Sequence, residues 1–170
     1  MPDVETLFRQ YHAPLVRYLT RRLGDRDWAE EVAQETFVRA LRQTSLENER
    51  AWLFAVATNL VRDEARKDSR RRRHLELLTA EARAESVEPP PDELERNEER
   101  ALARKAIETL TERDREALLM KEEGLDYHEI AAALELSFAS VGTTLSRARR
   151  RLVEAYEEMR RAQDAGRRTG

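Results

Sequence analysis

The chain has 170 residues, 38% of them charged and 6% aromatic, with 31 basic against 34 acidic side chains and a formal net charge of −3. That balance suits helical proteins rich in surface and excludes attraction to nucleic acid through average charge, so any such attraction depends on charge placement. Cysteine is absent, which removes disulfides, thiol nucleophiles and cysteine zinc sites. With no apolar run near the ~18 residues of a spanning helix, the expectation is a soluble, cytoplasmic, all-α chain of two small helical domains.

In chain order, Val4, Leu7, Phe8, Tyr11, Leu15, Tyr18 and Leu19 repeat at helical spacing, and Gly24 is placed to end that helix. Asp27 and Glu30 stand in capping-box spacing, opening a second helix with Val32, Ala33, Thr36, Phe37, Ala40 and Leu41 on one face and Glu30, Glu31, Gln34 and Glu35 on the other. A third helix presents Trp52, Leu53, Val56, Ala57, Leu60 and Val61, then turns basic from Arg62 to Arg73. From Leu75 to Glu98 the period is lost, Pro89, Pro90 and Pro91 gather, and acidic residues outnumber the two basic ones, Arg83 and Arg96, as in a linker. Further helices reach Leu110 and run from Thr111 to about Glu123, closed by Gly124, before two more; the chain after Met159 reads as a fraying tail. The expected division is 1–74 for the first domain, 75–98 for the linker, 99–157 for the second domain and 158–170 for a flexible tail.

The strongest local pattern is LDYHEIAAALELSFASVGTTLSRARRRL. Asp126 and Glu129 form a capping-box pair opening a short helix with Ile130, Ala131 and Leu134 on one face. Glu135, Leu136 and Ser137 make a tight turn, Ser137 caps the next helix, and Val141, Leu145, Ala148 and Leu152 form its inward stripe. That assignment leaves Ser140, Thr143, Thr144 and Arg147 outward, where small hydroxylated side chains permit close approach to a major groove and bond base edges or phosphates. Arg147, Arg149, Arg150 and Arg151 then supply charge for phosphates. The competing interpretation of this helix-turn-helix is an ordinary helical hairpin with a solvated arginine-rich face.

On the third helix Asn59, Arg62, Asp63, Arg66, Arg70 and Arg73 recur at three- and four-residue spacing, a face suited to follow a phosphate backbone. The preceding loop, with Ser45, Glu47 and Asn48, has polar groups fit to receive an unstacked base. Trp52 and Phe54 have rings able to stack on bases, although Trp52 lies at core spacing and is read as packing. No catalytic constellation accompanies these features: the Glu-x-x-His spacing of a di-iron helical site is missing around His12, His74 and His128, and no glycine-rich phosphate loop occurs. No enzyme activity, cofactor or metal is expected.

Together, DWAEEVAQETFVRAL, RAWLFAVATNLVRDEARKDSRRR and LTERDREALLMKEEGLDYHEIAAALELS, with LSRARRRL following, resemble extracytoplasmic-function sigma factors of the sigma-70 family. The resemblance implies a first domain that binds the RNA polymerase core and captures the melted minus-ten strand, and a second that reads the minus-thirty-five element as duplex. By position it implies core binding by Asp27, Glu30, Glu31, Gln34 and Phe37. It implies minus-ten contacts by Ser45, Asn48, Arg50, Asn59, Arg62, Asp63, Arg66 and Arg70. For the minus-thirty-five element it implies Tyr127, Ser140, Thr143, Thr144, Arg147 and Arg150. A dedicated anti-sigma factor is the implied inhibitory partner. A stand-alone helix-turn-helix regulator, binding DNA without polymerase, is the alternative. The sequence departs from the family at Glu135, where a turn glycine is usual, and at Gly142 and Thr144, where basic residues are common. A weak reader of duplex DNA is therefore expected, with polymerase and the first domain supplying affinity through tethering.

Overall fold

A computed structural model describes residues 2–67 and 91–170, and among these every regular element is an α-helix. The helices are α1 (Val4–Leu23), α2 (Arg26–Ala40), α3 (Glu49–Lys67), α4 (Pro91–Glu108), α5 (Glu112–Glu122), α6 (Tyr127–Leu134) and α7 (Phe138–Arg168). Their ends follow local chemistry. Asp3, Asp25, Thr111, Asp126 and Ser137 each accept a backbone N–H from the first turn of the helix that follows. Gly24 adopts φ 74° and donates its N–H to the Thr20 carbonyl, closing α1. The cap of α2 is Asp25, not Asp27: its carboxylate accepts from the Trp28 N–H at 3.1 Å, which places Asp27 inside the first turn.

In the first helical unit α1, α2 and α3 pack together around Leu7, Leu15, Leu19, Val32, Leu53 and Phe54. Tyr18 is fully buried there and shares a 2.7 Å hydrogen bond with Thr58. Burial disfavours its phenolate and pushes its pKa up. Phe54 is buried beside Tyr18, so it is a packing residue and offers no ring to a base, whereas Trp52 is half-buried against the same cluster. In the second unit α6 and the first turns of α7 form the helix-turn-helix, with α5 packed on both. The rest of α7 runs antiparallel to α4, with Leu110 and Ala148 in one apolar cluster and an ion pair between Arg167 and Glu98 near the far end.

Three expectations change. Residues 91–98, read as the end of the linker, are the start of α4, and the tail after Met159 continues α7 to Arg168. Pairing between α4 and α7 stabilises both, which local propensity alone does not reveal. The two units also do not keep separate cores. α6 packs on α3 and α5 on α1, so that Met120, Leu125, Ile130 and Leu145 join the cluster containing Leu15 and Phe54.

Candidate nucleic-acid interface

The helix-turn-helix is fixed by its caps. At Asp126 the box is reciprocal: its carboxylate accepts from the Glu129 N–H at 2.8 Å while Glu129 accepts from the Asp126 N–H at 3.1 Å. Glu135 occupies the turn in the left-handed region at φ 54°, the one non-glycine residue with positive φ among those described. A side chain there costs roughly 1 kcal/mol, which explains why glycine suits the position.

On α7, Val141, Leu145 and Ala148 face inward as expected, but Thr144 joins them at 5% exposure. Thr144 falls three residues after Val141 and four before Ala148, which puts it within the inward stripe, so it cannot meet DNA. Arg147 is also committed. Its guanidinium donates from Nε and Nη2 to the fully buried Asp114 at 3.2 and 2.7 Å, and Arg151 adds a third contact at 3.4 Å. The Arg147 hydrogen bonds hold the Asp114 carboxyl below its ordinary 3.8, and the same bonds raise Arg147. Tyr127 is half-buried, with its ring beside Lys121 and Phe138. The stripe that does face outward is Ala139, Thr143, Ser146 and Arg150, at helical spacing, with Ser140 partly covered at its side.

In the first unit, Asp27, Glu30, Glu31 and Gln34 stand exposed along one side of α2, and among the described residues Glu30 pairs only with its i,i+4 neighbour Arg26, at 3.2 Å. Phe37 does not stand on that surface. It is buried at 5% exposure and supports Phe8, which is 43% exposed and stacks on His12. Ser45 and Asn48 lie on the exposed loop before α3, Asn48 capping Ala51 at 3.1 Å, while Asn59 and Asp63 are exposed on α3. Arg70 and the side chain of Arg66 lie outside the described residues.

The two remaining residues of the minus-ten set are already paired, with carboxylates of the second unit. Arg50 forms a bidentate pair with Glu129 at 2.7 and 2.5 Å, and Arg62 donates to the buried Glu116, the shortest contact being 2.9 Å. Arg22 approaches Glu116 and Glu112 at 3.7 and 3.6 Å, and Arg17 approaches Glu123 at 3.2 Å. In each pair the arginine belongs to α1 or α3 and the carboxylate to the helix-turn-helix unit. Burial raises the Glu116 pKa, opposed by the charges of Arg62 and Arg22. Sequence reasoning marked Glu129 only as a cap and missed Glu112, Glu116, Glu123 and Asp114 as partners of arginines. The available signal was position: Asp114 lies three residues before Ala117 and four before Leu118, a charge on an apolar face, which demands a buried partner.

No described helix is long and apolar enough to cross a membrane, and among the described residues no group of three or more acidic or histidine side chains is placed to hold a metal.

Comparison with known proteins covers both units. Residues 7–71 match the family described as Sigma-70 region 2, and residues 100–152 match Sigma-70, region 4. The chain is 30% identical over 153 residues to RNA polymerase sigma factor YlaC of Bacillus subtilis (strain 168), covering 86% of this chain and 88% of that one. It is 31% identical over 149 residues to the ferric citrate uptake sigma factor FecI of Escherichia coli (strain K12), covering 85% of each. Among solved structures, the sigma factor RpoE of Bartonella quintana, crystallised with the anti-sigma factor NepR, superposes with a TM-score of 0.65 at 22% identity, over 92% of this chain and 98% of that one.

Proposed function

The chain belongs to the extracytoplasmic-function sigma factors of the sigma-70 family, and from that premise we propose how its residues divide the work of promoter recognition and opening. Residues 1–74 bind core polymerase and the minus-ten strand, 99–157 read the minus-thirty-five duplex as part of the unit that begins with α4, and the chain before α4 tethers them. The observation that carries this reading is one chain holding both an open acidic helix face, Asp27, Glu30, Glu31 and Gln34, and a capped helix-turn-helix. Carboxylates and an amide on a rigid helix suit basic and polar groups on a partner helix. A stand-alone regulator is not favoured, since such a protein has no use for a sigma region 2.

Ser45, Asn48 and Asn59 present exposed hydrogen-bonding groups for an unstacked base, and Arg50 and Arg62 supply charge to the strand. Capturing an extruded base stabilises the open strand, so melting proceeds without catalysis by this chain. It acts in the cytoplasm, with an anti-sigma factor as its restraint. The packed arrangement is a closed form. Elements two helical turns apart lie roughly 70 Å from one another, too far for docked units to read together. On engagement the units separate, and Arg50 and Arg62 exchange carboxylates for phosphates, which accept the same charge-assisted bonds.

The test is transcription with purified core polymerase on genomic fragments. The expected outcome is initiation at discrete sites that depends on this chain. Absence of both core binding and directed initiation refutes the assignment. Small-angle scattering checks the closed form, with the chain expected to lengthen when core is added.

A further inference from the structure

We propose that α7 reads its duplex element through the 5-methyl groups of thymines, met by the Phe138 ring, the Ala139 methyl and the Thr143 methyl. This inference rests on the duplex-reading role given above to the helix-turn-helix.

The polar groups that ordinarily read bases are already occupied in the first turns of α7. Ser137 and Ser140 hydroxyls bond to one another at 2.6 Å, and Ser137 also accepts the Ser140 N–H at 3.2 Å. Thr143 donates its hydroxyl back to the carbonyls of Ser140 and Ala139, at 3.1 and 3.4 Å. With its oxygen turned to its own backbone, Thr143 presents its methyl. Thr144 is buried, Gly142 has no side chain, and Arg147 is held by Asp114. Small or apolar groups therefore make up much of the exposed surface: Phe138 at 52% exposure, Ala139, the Thr143 methyl and, one turn on, Ser146.

Phe138 is braced. Its ring centroid lies 4.4 Å from that of His128 and 6.0 Å from that of Tyr127, so it stands as a fixed apolar knob at the start of the helix. Alanine, the threonine methyl and phenylalanine are the side groups that contact the thymine methyl, the one apolar mark on a base-pair edge in the major groove. Guanine is read by a guanidinium, and the first on α7 without a partner among the described residues are Arg149 and Arg150. Arg150 lies eleven residues beyond Ala139, about 17 Å along the axis, farther than the ~12 Å groove is wide. From Thr143 it is seven residues, about 10 Å, so with Ala139 and Thr143 against bases Arg150 stands at the far margin of the contact, within reach of phosphates.

The experiment uses the full chain with core polymerase and promoter fragments whose upstream block is randomised. After selection, each thymine of the enriched block is replaced by deoxyuridine, which removes the methyl and keeps the pairing. Affinity is expected to fall about threefold for each contacted methyl. Thr143→Ser is expected to reproduce the loss and become insensitive at one thymine. Thr143→Val, which keeps a methyl, should bind as the parent does. Phe138→Ala should lose sensitivity at a different thymine. Deoxyuridine without effect at every position, in a block still selected and bound, overturns the proposal while leaving duplex reading intact. Enrichment of guanines whose contribution disappears with Arg149→Ala or Arg150→Ala overturns it likewise. A failure to enrich any upstream sequence overturns both this inference and the duplex-reading role beneath it.

Discussion

The outer face of α2 and the Arg50 and Arg62 surface of α3 are both charged helix surfaces in one small unit, yet they are left in opposite states. Among the described residues, Glu30 and Glu35 of α2 pair only with the neighbouring Arg26 and Arg39, whereas Arg50 and Arg62 are taken up by Glu129 and Glu116. A charged face therefore states the sign of its partner and not which partner holds it. Under the proposed function, the open face is available to a polymerase helix immediately. The covered face becomes available only when the second unit leaves.

Breaking the open face has the largest expected effect. Changing Glu30 and Glu31 together to lysine sets like charges against the partner and should reduce core affinity about a hundredfold, with unchanged helicity and Tm. Equal affinity by titration with labelled core sinks the assignment of that face. On the covered side, Glu116→Gln combined with Glu129→Gln should cost the closed form about 3 kcal/mol, because each change leaves an arginine without its charge partner. Glutamine at 129 still completes the capping box, so the helix-turn-helix should survive. The radius of gyration should rise and single-strand affinity increase; a double variant as compact as the parent would show that the carboxylates do not hold the units together.

A pH comparison isolates Asp114, which acts within the second unit. Its folded pKa is lowered, so its contribution is complete above the ordinary 3.8 and is lost as pH falls through the depressed value. Asp114→Asn should lower Tm by about 5 °C at pH 7, and the gap from the parent should close below pH 3.8. A gap independent of pH means that packing and not charge explains the loss. Smallest are the backbone changes. Glu135→Gly relieves the left-handed turn, and Gly142→Ala improves helix propensity where an added Cβ meets Tyr127 at an ordinary 3.7 Å. Each should raise stability by about 1 kcal/mol in chemical denaturation.

Much of this molecule was legible in its sequence for physical reasons. Helical periodicity locates the core-facing stripes of α1, α2, α3, α6 and α7, although Phe8 and Leu41 prove exposed and Thr144 buried, and local capping chemistry marks Gly24, Asp126, Glu129 and Ser137, because those bonds close within three or four residues. What stayed hidden depends on pairs distant along the chain. Arg147 and Asp114 are 33 residues apart, and Arg50 and Glu129 are 79 apart. Without those pairings Arg147 reads as a phosphate contact, and with Asp114 beneath it the same arginine is part of the scaffold. Replacing Thr144 and Arg147, the natural test from sequence alone, would remove a buried threonine and a structural ion pair; under the proposed thymine reading, Ala139 and Thr143 are the positions to change.

Glu129 serves two structures at once. One of its oxygens accepts the Asp126 N–H as well as an Arg50 donor, and the other accepts a second donor from Arg50. When Arg50 departs, the first of these bonds remains, so the carboxylate keeps its rotamer and the helix keeps its first turn. The receptor for the arginine thus persists while vacant. Under the proposed opening, reclosing needs no local refolding, only a renewed encounter of two surfaces tied to the same chain.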